Sequence, residues 1–288
     1  MKRIIIAMLA LVFVFNYSFA QDEQEQPKDK PVSEAFSSGY LIDNQTTFIQ
    51  YPKTLEMVIH HKFGTLENGK SDVWGIYNSA NVRLALNYVV IENLQVGYGL
   101  TRTDMVHDFN VKYTILQQTR KNTIPVSLGV YGNLGINGVP EEQLGLESNF
   151  GDRMSMFAQL MVGRKFNDRI TLQAAASFSH FNMADTSKFD YDRVGLHLAG
   201  RIKVTTQGSF IFNYDQPLKV LQLSNHEDID LHPNISFGWE IATATHAFQI
   251  YCGYSKEILP QYYMMRERKD FAFDQFNIGF TITRMWNF

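Results

Sequence analysis

The sequence predicts an all-β fold, an antiparallel transmembrane β-barrel of about twelve strands with short turns at one rim and longer loops at the other. Three observations predict it. Apolar residues recur at every second position in segment after segment, the connections alternate between short and long, and no long apolar run follows residue 20. Helical spanning of a membrane is thereby excluded, which leaves a soluble β protein or a barrel. A soluble sandwich or lipocalin-like barrel also alternates, but it has no need of a systematic asymmetry of loops.

The N-terminus reads as a processing signal over 1–20. Lys2 and Arg3 precede an apolar run from Ile4 to Phe15, and Ser18-Phe19-Ala20 offers small residues for cleavage before Gln21. The run is shorter than the roughly 20 residues a spanning helix needs. No cysteine stands at the cleavage position behind it, so no lipid anchor is predicted, and the only cysteine, Cys252, has no partner for a disulfide within the chain.

Residues 21–35 are charged, contain proline and nearly lack large apolar groups, so they cannot offset the entropy of ordering. Residues 36–53 are more apolar but show no clean period. Together 21–53 form a flexible periplasmic N-terminal segment, with the barrel mouth as one resting place for its second half. The barrel is assigned to 54–288.

From Thr54 the period is two. Leu55, Met57, Ile59 and Phe63 fall on one face and Glu56, His60 and Lys62 on the other; Val82, Leu84, Leu86, Tyr88 and Val90 oppose Arg83 and Asn87. Leu94, Val96, Tyr98 and Leu100 oppose Gln95, Gly97, Gly99 and Thr101, and Phe109, Val111, Tyr113 and Ile115 oppose Asn110 and Lys112. Ile170, Leu172, Ala174, Ala176 and Phe178 oppose Thr171, Gln173, Ser177 and Ser179, and Val194, Leu196, Leu198 and Ile202 oppose Arg193, His197, Arg201 and Lys203. The last strand sets Phe276, Ile278, Phe280 and Ile282 against Asn277, Gly279, Thr281 and Thr283. Each segment approaches the roughly 9–11 residues that cross a bilayer as a tilted strand. Misreading one weak hairpin would make the number ten or fourteen.

Short connections are expected near 91–93, 118–123, 166–169, 205–208 and 243–245, and long ones near 64–80, 102–107, 135–152, 182–190, 216–233 and 256–273. Because a long loop comes first and last, both termini fall at the short-turn rim, which in outer-membrane barrels is periplasmic. The predicted location is the bacterial outer membrane.

The final strand, running to Trp286 and the terminal Phe288, resembles the assembly signal of bacterial outer-membrane barrels, in which a last strand ending in Phe is recognised by the insertion machinery. Phe280, Ile282, Trp286 and Phe288 carry that resemblance. Arg284 breaks the apolar parity, which at a rim costs only about 0–1 kcal/mol. The stretch LEMVIHHKFG, followed by VWGIYNSANVRLALNYVVIENLQVGYGLTR and FNVKYTILQQ, resembles a family of bacterial outer-membrane β-barrels, domain of unknown function 5777. The resemblance begins near Phe36 and covers most of the chain after the signal. It implies the fold and brings no catalytic residues with it.

If the apolar faces meet lipid, the opposite faces line a lumen. The candidate lining is Glu56, His60, Lys62, Arg83, Asn87, Lys112, Arg193, His197, Arg201, Lys203 and Glu240, with Lys165 of the same parity. Basic groups outnumber acids in that set, so a polar lumen with a positive bias is expected. Two uses follow, a passive pore or binding channel for small polar or anionic solutes, or a structural or surface-interaction barrel whose lumen is occluded by mutually paired groups. The formal net charge of −3 speaks for no nucleic-acid partner. The expected partners are outer-membrane lipid, the assembly machinery and small anionic solutes, with the barrel a monomer.

Other candidates reduce to simpler readings. His60 and His61 are adjacent on a strand and face opposite ways, so they cannot chelate one metal. The run His226-Glu227-Asp228-Ile229-Asp230-Leu231-His232 matches no defined ligand spacing, and no metal or cofactor is predicted. Ser179, His180 and Asp185 invite a hydrolase reading, yet Ser179 and His180 also face opposite ways, and no enzyme activity is expected. Gly97 and Gly99 ease strand curvature or leave space in the lumen. Tyr262-Tyr263-Met264-Met265 form an adhesive patch or pack over the barrel mouth, with packing the default.

Overall fold

The computed structural model describes residues 29–33, 35–144, 149–183, 190–219, 232–266 and 271–288. By contacts the chain divides into Met1–Lys30 and Pro31–Phe288, and every element below belongs to the second unit. The predicted signal and the 21–28 leader lie outside the described residues.

Two short strands, β1 (Tyr40–Leu41) and β2 (Asn44–Gln45), form a hairpin. The strands that follow are β3 (Thr54–Thr65), β4 (Asn81–Ile91), β5 (Leu94–Thr101), β6 (Val106–Leu116), β7 (Ser127–Ile136) and β8 (Met154–Lys165). After them come β9 (Ile170–Phe181), β10 (Asp192–Lys203), β11 (Gly208–Leu218), β12 (Asn234–Ala242), β13 (His246–Gly253) and β14 (Asn277–Asn287). Each pairs antiparallel with its chain neighbour, and β14 pairs with β3 to close a 12-strand barrel. Closure leaves no free sheet edge, the condition for β structure in a bilayer.

Burial alternates along the strands, as the period predicts. In β4 the residues Leu84 (52% exposed) and Leu86 (50%) point out, while Arg83, Ala85 and Asn87, which alternate with them, are buried. The same holds for Phe109 and Val111 against Asp108, Asn110 and Lys112 in β6. The barrel is therefore apolar outside and polar within, the reverse of a water-soluble barrel. No helix among the described residues is long and apolar enough to cross a membrane.

The strand β5 shows why glycine belongs on an inward face. A Cβ at Gly99 would lie 2.3 Å from Asp108 Oδ2 and 2.7 Å from an Arg83 guanidinium nitrogen. Without it, the Arg83 side chain crosses β5 to reach Asp108 on β6. Gly97 gives the same clearance between Asn87 and Asn110.

The strand ends joined by 92–93, 166–169, 204–207 and 243–245 lie at one rim, and those joined by 66–80, 137–153, 182–191, 219–233 and 254–276 at the other. Two connections depart from the expected asymmetry. The connection 102–105 at the long-loop rim is short, and 117–126 at the short-turn rim is long. The longer turn has a use, since it receives the incoming chain. Pro31 bridges Thr119, Val32 N donates to Gln118 O at 2.9 Å, and Arg120 Nε donates to Pro31 O. The backbone N of Phe288 meets Lys53 O, so the barrel begins and ends at this same rim.

Candidate functional site: the occupied lumen

The lumen is filled by the chain itself. Residues 36–47 run inside the barrel, and Ser38 through Thr47 are all buried. The β1–β2 hairpin turns at Ile42 and Asp43, with Ile42 in the left-handed region at φ 56°. That conformation is unfavourable for a β-branched residue and persists only where surroundings hold it. Here Ile42 N donates to Gln249 Oε1 at 2.8 Å, and Ile42 packs with Leu41, Phe36, Ala199, Ile211 and Tyr251.

Elsewhere the hairpin is held by polar side chains from around the wall. Gly39 N donates to Glu56 Oε1 at 3.1 Å, Thr47 N to Gln173 Oε1 at 2.8 Å, and Asn44 Nδ2 to Asp215 Oδ1 at 2.6 Å. Hairpin carbonyls accept in turn, Leu41 O from Asn213 and Gln45 O from Gln173, each at 2.7 Å. A segment with no amphipathic period is thus satisfied at its backbone groups by wall amides, which is what permits irregular backbone at membrane depth.

From the opposite rim residues 254–265 of the loop after β13 fold inward. Its helix, Pro260–Arg266, is buried over Pro260 to Met265. Gln261 Nε2 donates to Asn133 Oδ1 at 2.8 Å, the Tyr262 ring meets Phe181 edge-on at 5.2 Å, and Arg266 pairs with Asp104 at 2.5 Å. The two insertions meet where Tyr263 OH donates to Asn44 Oδ1 at 3.0 Å. Between them remains a cavity of about 10 Å³ beside Tyr40, Asp43, His60, Arg83, Tyr131 and Leu259, room for roughly one water molecule.

The predicted lining residues divide by partner. Arg83 grips Asp108 with two hydrogen bonds, Nε to Oδ2 at 2.9 Å and a terminal nitrogen to Oδ1 at 2.7 Å. Arg201 pairs with Glu240 at 2.7 Å, Arg193 with Asp190 at 2.7 Å, and His197 Nδ1 with Asp215 at 2.8 Å. Lys62 Nζ holds Asp43 Oδ2 at 2.5 Å and donates to Ser255 O and Glu257 O. Lys112 Nζ donates to Gly39 O and Gln45 Oε1, both at 3.2 Å. Glu56 accepts from Asn87 and Gln95 as well as from Gly39. His60 is buried with Tyr40 edge-on at 4.9 Å. Lys203 and Lys165 are half-buried at the short-turn rim, where Lys165 Nζ reaches Ser33 O at 2.9 Å.

The expected positive bias of the lumen is corrected by this geometry. Asp43, Asp108, Asp190 and Asp215 are buried beside the basic groups and were absent from the sequence assignment. Asp108 shares the parity of Asn110 and Lys112, so the strand period carried the signal for it. Asp43 and Asp190 lie outside the barrel strands and left no such signal. A buried charge without a partner costs several kcal/mol, about 3–5 on loss of one member of a pair, which is why acids collect where bases do.

Ser179 faces inward, and His180 faces outward, where its Nδ1 meets Asp192 at 2.7 Å. The two therefore share no proton. Tyr262 to Met265 pack inside the barrel rather than forming an exposed patch. His61 faces outward, stacked on Phe280 at 4.9 Å. Ile282 and Trp286 share that outward parity, Phe288 is 76% exposed, and the Arg284 guanidinium lies 5.3 Å from the Trp286 ring centre at the short-turn rim. Residues 226–231 and Asp185 lie outside the described residues, and no cluster suited to a metal occurs among the described ones.

A closed antiparallel wall, apolar outside and polar within, defines a membrane-bound β-barrel. The chain belongs to the family described as a membrane bound beta barrel domain (DUF5777), whose pattern matches residues 36–286. That match begins at the first residue of the luminal insertion, so the hairpin is part of the family's domain. Among solved structures, an outer membrane channel from Pseudomonas putida F1 is similar at 12% identity, covering 83% of this chain and 97% of that one with a TM-score of 0.50. The NanC porin is similar at 7% identity, covering 81% and 99% with a TM-score of 0.49. At such identities the likeness concerns the fold alone. No curated protein matches the chain.

Proposed function

We propose that this protein is an outer-membrane channel for small polar solutes that rests closed, with its own N-terminal hairpin as the stopper and both barrel ends at the periplasmic rim. The observation that carries this reading is the polar wall beneath the hairpin. A lumen meant to be permanently solid gains more from apolar packing than from buried ion pairs, since replacing such pairs by hydrophobic groups is often neutral or stabilising. Here Arg83–Asp108 and Arg201–Glu240 pair wall to wall, so these two pairs stay compensated when water replaces the hairpin. Both ends of the inserted segment meet the same rim, Pro31 and Val32 at the 117–126 turn and Lys53 at the start of β3, a geometry that lets the hairpin withdraw as a loop toward that side.

The second reading, an occluded structural barrel with long loops as its working surface, is favoured by the depth of the Pro260–Arg266 helix. Planar-bilayer recording separates the two. The full chain is expected to be silent or to open rarely. Deletion of 36–50 combined with replacement of 256–270 by a short Gly-Ser turn is expected to give stepwise conductance. A folded barrel stripped in this way that still conducts nothing overturns the channel reading in favour of the structural one. No catalytic role belongs to this proposal, and the terminal residues Phe280, Ile282, Trp286 and Phe288 are assigned to recognition during insertion.

A further inference from the structure

We propose that Lys62 is the anion-binding site of the open lumen, built for a small carboxylate, and that Asp43 at the hairpin tip occupies it as a built-in stand-in for that ligand. Three features of the geometry lead there. First, the ammonium of Lys62 has three N–H donors, and each has one acceptor: Asp43 Oδ2 at 2.5 Å, Ser255 O at 3.0 Å and Glu257 O at 2.7 Å. The two carbonyls belong to the loop after β13, so they stay when the hairpin leaves. The third donor then points, unpaired, into the space the carboxylate vacated.

Second, Lys62 differs in this from the other paired bases of the lumen. The acids of Arg83, Arg201 and His197 lie on other wall strands, one or two strands away, and that of Arg193 lies three residues before it in the chain. Their charges remain compensated whether or not the hairpin is present. Lys112 loses Gly39 O and Gln45 Oε1, two neutral acceptors, but Glu56 flanks the same Gly39 position. Lys62 alone among these pairs takes its acid from the stopper.

Third, the carboxylate is presented as a ligand is. It sits at the turn of the hairpin, the point inserted farthest between two short strands, and Lys62 and Asp43 are both fully buried. Its second oxygen, Oδ1, makes no hydrogen bond, and the residue borders the small cavity between the two insertions. A carboxylate bound through one oxygen with space beside the other is the pose of a small solute acid, whose remaining atoms need room. Use of the site by a solute rests on the stopper reading above; binding at Lys62 does not.

The test is rescue of a missing carboxylate in the full chain. Asp43→Ala leaves a carboxylate-sized space against a buried, uncompensated ammonium. Sodium formate is expected to raise the unfolding temperature of Asp43→Ala in detergent by several degrees in a saturable way, more than equal sodium chloride or sodium phosphate. Wild type, with the site filled, and Asp43→Ala/Lys62→Met, with no ammonium, are expected to show no such difference. If Asp43→Ala refolds poorly, its refolding yield with and without formate is the readout. Restoration by formate alone supports the site, and equal yields overturn it, as does a formate shift equally large in the double variant. A phosphate effect exceeding formate's overturns the carboxylate assignment. A conducting stripped barrel with no formate effect removes this site and leaves the stopper; a formate effect with a silent stripped barrel does the opposite.

Discussion

Asp108→Ala is expected to destabilise the barrel by about 3–5 kcal/mol, the cost of leaving a buried partner charge uncompensated. Arg83 would keep its guanidinium in the lumen with both carboxylate contacts gone, and Asn133 Nδ2, which donates to Asp108 Oδ1 at 2.9 Å, would lose an acceptor as well. Neither group can reach bulk water through a lumen filled from both rims. Arg83→Met/Asp108→Leu removes both charges and is expected to recover most of the loss. Denaturant unfolding in detergent, followed by tryptophan fluorescence, measures both variants. A single substitution that costs less than the double one would contradict the pairing.

Leu86→Arg is expected to cost about 2–4 kcal/mol in lipid, because it places a guanidinium on the outer face near mid-depth. Leu86 lies at the centre of β4 and points away from the lumen. Ile202→Arg, at the rim end of β10, shares the outward parity and is expected to cost only about 0–1 kcal/mol. The comparison isolates depth, since both replace an exposed aliphatic residue by the same side chain. Refolding equilibria into lipid vesicles report it. Equal costs at the two positions would mean that this face does not meet a hydrocarbon layer.

The wall was legible in the sequence because a strand repeats its environment every two residues, and each face of this wall has one environment along its length. Leu84, Arg83, Leu86 and Asn87 could be sorted inward and outward by counting alone. Asp108 and Asp215 obey the same parity on β6 and β11, so the period carried a signal for both, and without them the inward set reads as positive. What fills the lumen was not legible. The hairpin at 40–45 is bonded to wall side chains up to 239 positions away, as with Thr281 and Ile42, and such pairing leaves no local period. The helix Pro260–Arg266 is buried all round, so it has no amphipathic stripe; its only local sign was the cluster Tyr262 to Met265. Lys62 was visible as an inward base, whereas its partner Asp43 sits in a turn that sequence pattern does not orient.

The account stands on the hairpin lying inside the barrel in a membrane. Thr281 is a fully buried wall residue on β14 whose hydroxyl faces Ile42 O. With Cys252→Ser as background, Thr281→Cys reports directly on that contact through its rate of reaction with a charged, water-soluble thiol reagent in vesicles. The account predicts a cysteine protected in the full chain and fast to react once 36–50 are deleted. Rapid labelling at the same rate in both proteins would contradict it.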